Sequence, residues 1–146
     1  MKARSVVLCQ IGCILWLMIL AALCVAAPSA AVWYQRLRVL SDAVTRAVLI
    51  AFYLCCVPAA LALCALLRLL VNIRHDRLFG RQNTRLLSAV SWCCLAVAAI
   101  CLAAAFWYMP LALISAAMLF IFLIVRVVCA SFIAAAEIKE ENSLTI

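Results

Sequence analysis

The chain has 146 residues, of which 73% are hydrophobic and only 12% are charged. A soluble domain of this length exposes roughly half of its residues to water, so this composition excludes an ordinary soluble fold and indicates lipid as the solvent. The net charge of +7 would suit nucleic-acid binding, but no zinc-finger spacing or basic-aromatic interleaving accompanies it, so we expect no direct nucleic-acid contact.

The first apolar stretch runs from about Ser5 to Ala27 and follows the basic residues Lys2 and Arg4. A cleaved signal peptide also begins with basic residues, but its apolar region is only roughly 7–15 residues long. This stretch is long enough for a membrane crossing, which takes about 20 residues. We therefore predict an uncleaved transmembrane helix over 5–27, with a signal peptide as the alternative.

A second apolar stretch predicts a transmembrane helix over 47–71. It contains Pro58, which kinks such a helix but is tolerated when neighbouring helices contact it. The polar interval before it holds Trp33 and Tyr34, which are typical of a membrane–water interface. Within that interval, Val32–Val44 is predicted to form a short helix along the membrane surface.

Two further apolar stretches predict transmembrane helices over 86–108 and 111–136. A basic loop over 72–85 separates the second helix from the third. The third stretch ends in an aromatic cluster around Trp107, which again is typical of an interface. The polar tail over 137–146 is predicted to continue the last helix beyond the membrane, because no glycine or proline interrupts this part of the chain.

The distribution of basic residues predicts the orientation of the chain, because lysine and arginine collect in cytoplasmic loops. An N-terminus in the cytoplasm places eight basic residues on that side: Lys2, Arg4, Arg68, Arg74, Arg77, Arg81, Arg85 and Lys139. The outer side then receives only three: Arg36, Arg38 and Arg46. We therefore predict an all-α, integral membrane four-helix bundle that forms a single domain over 1–146, with both termini in the cytoplasm and both aromatic clusters outside.

Small residues in the apolar stretches are predicted to serve helix packing. All ten cysteines lie in these stretches, no CxxC spacing occurs and His75 is the only histidine, so we expect no metal site and no cofactor. Free cysteine behaves as a small buried hydrophobe; thiol sensing or metal transfer is the alternative. Alanines four residues apart, Ala99 with Ala103 and Ala112 with Ala116, allow helices to approach closely.

The predicted spans carry little chemistry for transport or catalysis. They contain no acidic residue, whereas pumps and coupled transporters usually need one. Arg126 is the one charge well inside a span; we expect it to extend toward the inner interface, with an anchor for anionic lipid or a partner carboxylate as the alternative. Polar candidates for a pore lining are mainly Ser88, Ser91 and Ser115. No HExxH, GxSxG or glycine-rich phosphate loop is present, so we predict no enzymatic activity.

The stretch LLRLLVNIRHDRLFGRQNTRLL and the terminus AAAEIKEENSLTI resemble the DUF2975 family of bacterial membrane proteins, over about Ala47–Ile146. In that family a Phe and an Asn lie a few residues apart after the second helix, here Phe79 and Asn83. Members typically end in a Glu-Glu-Asn-x-Leu-Thr-hydrophobic signature, here Glu140, Glu141, Asn142, Leu144, Thr145 and Ile146. Ser143 stands where many members carry Asp. The resemblance implies four transmembrane helices in the bacterial cytoplasmic membrane and no established activity.

Members are often encoded beside a small helix-turn-helix regulator, and this neighbourhood implies a cytoplasmic surface that docks such a protein. The candidate docking residues come from the basic loop and the tail: Arg74, Arg77, Phe79, Arg81, Asn83, Arg85, Glu137, Glu140, Glu141, Asn142, Leu144, Thr145 and Ile146. Their opposite charges also predict a clasp between loop and tail, with two separately solvated segments as the alternative.

The leading hypothesis is therefore a non-enzymatic membrane protein that docks a protein partner on its cytoplasmic face. The rival hypothesis is a small transporter, a channel or an accessory transport subunit. A third is a role in envelope stress or immunity through lipid contact. The oligomeric state is not predicted by any feature of the sequence.

Overall fold

The computed structural model describes the backbone over residues 2–38, 41–74 and 81–144, and most side chains within those ranges. These residues form four α-helices: α1 (Lys2–Arg38), α2 (Asp42–Arg74), α3 (Arg81–Ala104) and α4 (Pro110–Leu144). Each helix contains a segment long and apolar enough to cross a membrane: Val6–Leu37, Asp42–Asn72, Gln82–Ala104 and Pro110–Ala135. The prediction of an all-α chain with four candidate spans is confirmed.

The first helix is longer than its apolar stretch. It was predicted to end near Ala27 and to be followed by a separate surface helix over Val32–Val44, but α1 continues through Pro28 to Arg38. Proline removes only one backbone donor, and a membrane helix tolerates that loss when another group supplies the missing hydrogen bond. The helices on both sides of the predicted basic loop also extend into it, since α2 ends at Arg74 and α3 begins at Arg81. Residues 75–80 of this loop lie outside the described residues.

A group on α2 supplies the hydrogen bond that Pro28 cannot make. In an α-helix the amide of residue 28 would donate to the carbonyl of Cys24, but proline has no N–H. The Tyr53 hydroxyl donates to this same Cys24 carbonyl at 2.8 Å. Next to the proline, the Ser29 hydroxyl donates to the carbonyl of Ala26 at 2.8 Å. The helix therefore continues across Pro28, and the Cys24 carbonyl that lacks an amide donor is hydrogen-bonded to the neighbouring helix.

The four helices form an open row rather than a closed bundle. Over the described residues α1 packs on α2, α2 on α3 and α3 on α4, and no other pair of helices comes into backbone contact. The prediction of a four-helix bundle is therefore wrong in its closure, since α1 and α4 do not pack together. Lipid solvates apolar faces as well as another helix does, so a membrane protein need not close such a row.

Helix α3 lies inside this row and carries most of the core. Its buried residues are mostly small, and from Ser91 onward they recur every three or four positions: Asn83, Val90, Ser91, Cys94, Ala98, Cys101 and Ala104. This spacing places them on one side of the helix. The predicted small-residue pairs lie elsewhere, because Ala99, Ala103 and Ala116 are exposed and Ala112 is half-buried. Close packing thus uses small residues, as expected, but not those four alanines.

The two aromatic clusters lie at the same end of the row. The hydroxyls of Tyr34, near the end of α1, and Tyr108, in the turn before α4, are 2.7 Å apart. Their neighbours Trp33 and Trp107 are both exposed, as interfacial side chains are. Because α1 ends and α4 begins at this end of the row, the first residues of α1 and the last residues of α4 lie toward the opposite end.

Candidate functional site

The end of the row opposite the aromatic clusters contains the predicted docking region. Two contacts define how the helices align there. The Asn72 side-chain amide on α2 donates to the Asn83 side-chain oxygen on α3 at 2.9 Å. The Cys129 thiol on α4 lies 3.8 Å from the carbonyl of Thr84 on α3. The end of α2, the start of α3 and the second half of α4 therefore meet at one level.

Helix α4 extends well beyond this level. From Cys129 to its last described residue, Leu144, the helix rises by about 22 Å, at about 1.5 Å per residue. Helix α3 begins at Arg81, only one turn from Thr84. The last part of α4 thus projects about 18 Å past the start of α3. We call the part that follows the candidate span, 136–144, the α4 extension.

The α4 extension carries the acidic tail predicted from the sequence. Glu137, Glu140, Glu141, Asn142 and Leu144 all belong to its helical backbone. The spacing of the three glutamates and Leu144 is that of one helical face. Their side chains lie outside the described residues, as do Thr145 and Ile146 altogether. The predicted clasp with the basic loop rests on these side chains and stays a prediction.

The basic part of the predicted docking region is described only at its borders. Arg74 ends α2 and Arg81 begins α3, and the side chains of both lie outside the described residues. Arg77 and Phe79 fall in 75–80, which are also outside. Arg85 is described and exposed on the first turns of α3. The two helix ends thus bring the borders of the basic loop to the level from which α4 projects.

Asn83 has a different environment from the other candidate docking residues. It is only 6% exposed and is bonded to Asn72 between α2 and α3. A buried amide that finds a partner across two helices helps to hold them together in lipid. In this structure Asn83 therefore positions the two helix ends that flank the basic loop. Its part in docking remains a proposal, and it would act through that positioning.

A groove opens between α2 and α3 at this same end. It has a volume of about 540 Å³, and its lining includes Arg68 from α2 and Arg85 from α3. From the sequence, Arg68 was interpreted only as a basic residue at the end of an apolar stretch, and the groove was not predicted. The available signal was that Arg68 lies four residues before the basic loop over 72–85 and Arg85 is the last residue of that loop.

The serines proposed for a pore lining have other roles in the described structure. Ser91 is fully buried, and its hydroxyl donates to the carbonyl of Ser88 at 2.7 Å. Ser115 is 2% exposed, and its hydroxyl donates to the carbonyl of Ala98 across the α3–α4 interface at 2.9 Å. Both hydroxyls are thus hydrogen-bonded to backbone carbonyls. The Ser115 bond helps to hold α3 and α4 together, whereas the Ser91 bond lies within α3, and neither leaves a free hydroxyl for a solute at these two positions.

The cysteines lie at helix interfaces or on lipid-facing surfaces. The thiols of Cys24 and Cys56 approach to 3.4 Å between α1 and α2, and those of Cys55 and Cys101 to 3.9 Å between α2 and α3. Within the described part of the chain, no group of three or more His, Cys, Asp or Glu side chains could hold a metal ion. The thiol pairs contribute contacts between helices, as small apolar residues do.

Comparison with known proteins addresses the family but not the activity. No curated protein and no solved structure matches the chain. One family model matches residues 10–146, and its description is "Protein of unknown function (DUF2975)". The match begins within α1, so it includes most of the first helix, which lies outside the stretch Ala47–Ile146 over which the sequence resembled the family. The chain, with its four helices apolar enough to cross a membrane, belongs to the DUF2975 family.

Proposed function

We propose that this chain is a non-enzymatic, multi-pass protein of the bacterial cytoplasmic membrane that docks a cytoplasmic protein on its α4 extension and basic loop. The α4 extension is the observation that supports this most directly. It continues a membrane-length helix for about 13 Å beyond the candidate span. A helix that served only to cross the bilayer would not need this length.

The chemistry of the docking region favours a protein partner with a charged, partly apolar surface. The α4 extension combines three glutamates with Leu144 at the spacing of one helical face. The borders of the basic loop, Arg74 and Arg81, lie at the level where α4 begins to project. A partner that contacts both would meet opposite charges on two neighbouring elements, which gives orientation as well as attraction.

The orientation in this proposal follows from the basic residues. The start of α1 and the end of α4 lie toward the end of the row that carries the basic loop, and cytoplasmic loops are enriched in lysine and arginine. The docking region is then cytoplasmic. A small helix-turn-helix regulator is our candidate partner, on the ground that the family resemblance implies such a neighbour in the genome.

Transport is less well supported than docking. The buried hydroxyls of Ser91 and Ser115 are bonded to backbone carbonyls, and the interfaces are closed by small side chains such as Ala98 and Cys94. A hydrated path through the bilayer needs polar groups that face it. The described helices place their buried polar groups between helices instead.

The docking proposal is tested by replacing 137–146 with a glycine–serine linker of equal length. The full-length protein and the regulator encoded nearest to it are purified, and their affinity is measured with the membrane protein in nanodiscs. We expect the replacement to weaken binding by at least about tenfold, since a docking helix typically contains the few residues that dominate the affinity. The matched control keeps the tail and carries the same linker after Ile146; it should bind as the wild type does.

Two results would contradict the docking proposal. One is unchanged affinity for the regulator after the tail is replaced, with the membrane protein still folded. The other is specific ion or solute flux when the purified protein is reconstituted alone into liposomes, which would favour the transport hypothesis instead.

A further inference from the structure

The groove between α2 and α3 lies at the boundary of the two candidate spans. The span in α2 ends at Asn72, and the span in α3 begins at Gln82. Both residues line the groove. When these helices cross a bilayer, the ends of their apolar segments lie at the level of the lipid headgroups. The groove is therefore open to the region that headgroups occupy.

The lining of the groove is divided into a cationic part and an apolar part. The polar side chains are two arginines and two amides, contributed by both helices: Arg68, Asn72, Gln82 and Arg85. Among the described lining residues there is no carboxylate to neutralise the two guanidinium groups. Asn72 is bonded to Asn83, so this part of the wall is fixed by a contact between the helices. The groove thus presents a rigid wall and two positive charges.

The remaining lining residues are the apolar Leu67, Val71 and Leu86. In α2, Leu67 and Val71 are one turn apart and lie on the same face as each other. On α2, Leu67 lies one residue deeper in the span than Arg68, whereas Val71 lies between Arg68 and the end of the span at Asn72. On α3, Leu86 lies one residue deeper than Arg85. The two leucines are thus the apolar lining residues on the membrane-interior side of the arginines, which suits a phospholipid with its phosphate at the arginines and the start of its acyl chains along the leucines.

We propose that this groove binds an anionic phospholipid, with its phosphate between Arg68 and Arg85 and the start of its acyl chains along Leu67 and Leu86. Guanidinium groups bind phosphate oxygens through two parallel hydrogen bonds, which makes arginine well suited to this ligand. Basic pockets between transmembrane helices at the membrane surface are a recurring form of lipid recognition. This inference goes beyond partner docking and does not depend on it.

A phospholipid explains the groove better than a free phosphate ion. A small anion would occupy the space between the two arginines and leave the apolar wall in contact with water. A lipid covers that wall and is delivered by the membrane itself at the level of the groove. The lipid and the free ion would both place a phosphate between two guanidinium groups. The experiment must therefore distinguish these two ligands by the contribution of the acyl chains to binding.

The test uses the full-length protein, delipidated in a non-ionic detergent and titrated with single phospholipids while bound lipid is counted by native mass spectrometry. Phosphatidylglycerol should bind more tightly than phosphatidylcholine with the same acyl chains. Its affinity should fall by about fivefold for each arginine removed in Arg68→Gln, Arg85→Gln and the double variant. The affinity for phosphatidylcholine should fall less, because its choline cation offsets the attraction of its phosphate to the arginines.

A matched control removes two arginines at the opposite end of the first two helices. Arg36 and Arg46 are both exposed there, and the double variant Arg36→Gln/Arg46→Gln loses the same charge. It should retain the affinity for phosphatidylglycerol. An equal loss in this control would overturn the proposal, since the effect would then reflect net charge only. If the double variant of Arg68 and Arg85 does not fold, the two single variants decide the matter.

Competition with inorganic phosphate separates the two sources of the ligand. Millimolar phosphate should leave bound phosphatidylglycerol in place. Displacement of the lipid by phosphate at a similar concentration would show a small-anion site and would contradict the lipid assignment. Unchanged phosphatidylglycerol affinity in Arg68→Gln and Arg85→Gln would show that the groove is not the site.

Discussion

Replacing Ala98 with leucine is expected to separate α3 from α4 and to destabilise the protein by about 3 kcal/mol, at the upper end of the usual range for overpacking. Ala98 is 1% exposed, and its carbonyl accepts the hydrogen bond from Ser115 across the interface at 2.9 Å. A leucine side chain has no room between two backbones that approach this closely. It would also move the Ser115 hydroxyl away from its acceptor in a solvent that offers no replacement.

The next residue in the sequence provides the matched control. Ala99 is exposed, so Ala99→Leu adds the same side chain on a face that contacts lipid. We expect its free energy of unfolding to stay within about 0.5 kcal/mol of the wild type, the range typical of exposed substitutions. Unfolding in mixed micelles, followed by circular dichroism during a titration with denaturing detergent, measures both variants. Equal destabilisation of the two would show that the assigned α3–α4 interface is incorrect.

This contrast also shows how far the sequence predicts the fold. Mean hydropathy and length were enough to predict four candidate spans, because a helix must be long and apolar to cross the lipid. The faces on which helices pack follow no such rule, since lipid-facing and buried positions are equally apolar. Ala98 and Ala99 are therefore indistinguishable in the sequence, and the predicted pair of Ala99 with Ala103 fell on an exposed face.

The closure of the bundle was mispredicted for a related physical reason. In water, an open row of helices would expose apolar surface and would be driven to close. In lipid that driving force is absent, and helices stay together through close packing and polar contacts. Each neighbouring pair here has such contacts, of which Tyr53 with Cys24, Asn72 with Asn83, and Ser115 with Ala98 are examples. These contacts depend on three-dimensional alignment and cannot be read from composition.

Some features of the candidate site could be predicted from the sequence, and others could not. The continuation of α4 past its candidate span followed from a run without glycine or proline, and the helix extends to Leu144. The groove was not predicted, because it depends on two arginines from different helices that line the same space between α2 and α3. The residues of the more specific tail signature, Glu140–Ile146, contribute no described side chains, and neither does Phe79 of the looser loop match. Their role therefore rests on the docking experiment.

Tyr53→Phe is expected to destabilise the pairing of α1 with α2 by about 1 kcal/mol, within the range for hydrogen bonds between membrane helices. The hydroxyl donates to the Cys24 carbonyl at 2.8 Å, and Pro28 leaves that carbonyl without its usual donor. Phenylalanine keeps the ring and its packing but leaves the carbonyl unbonded, and an unsatisfied polar group is costly in lipid. The free energy of unfolding in mixed micelles measures this loss.

A double-mutant cycle with Pro28→Ala tests whether the hydroxyl compensates for the proline. Alanine restores an amide that can donate to Cys24 within α1, so Tyr53→Phe should cost at most half as much in the Pro28→Ala background as in the wild type. Tyr34→Phe is the matched control: it removes the same group from a hydrogen bond with Tyr108 that does not involve the Cys24 carbonyl. Its effect and that of Pro28→Ala should add within about 0.5 kcal/mol. Additive effects of Tyr53→Phe and Pro28→Ala would mean that Tyr53 stabilises α1 independently of the proline.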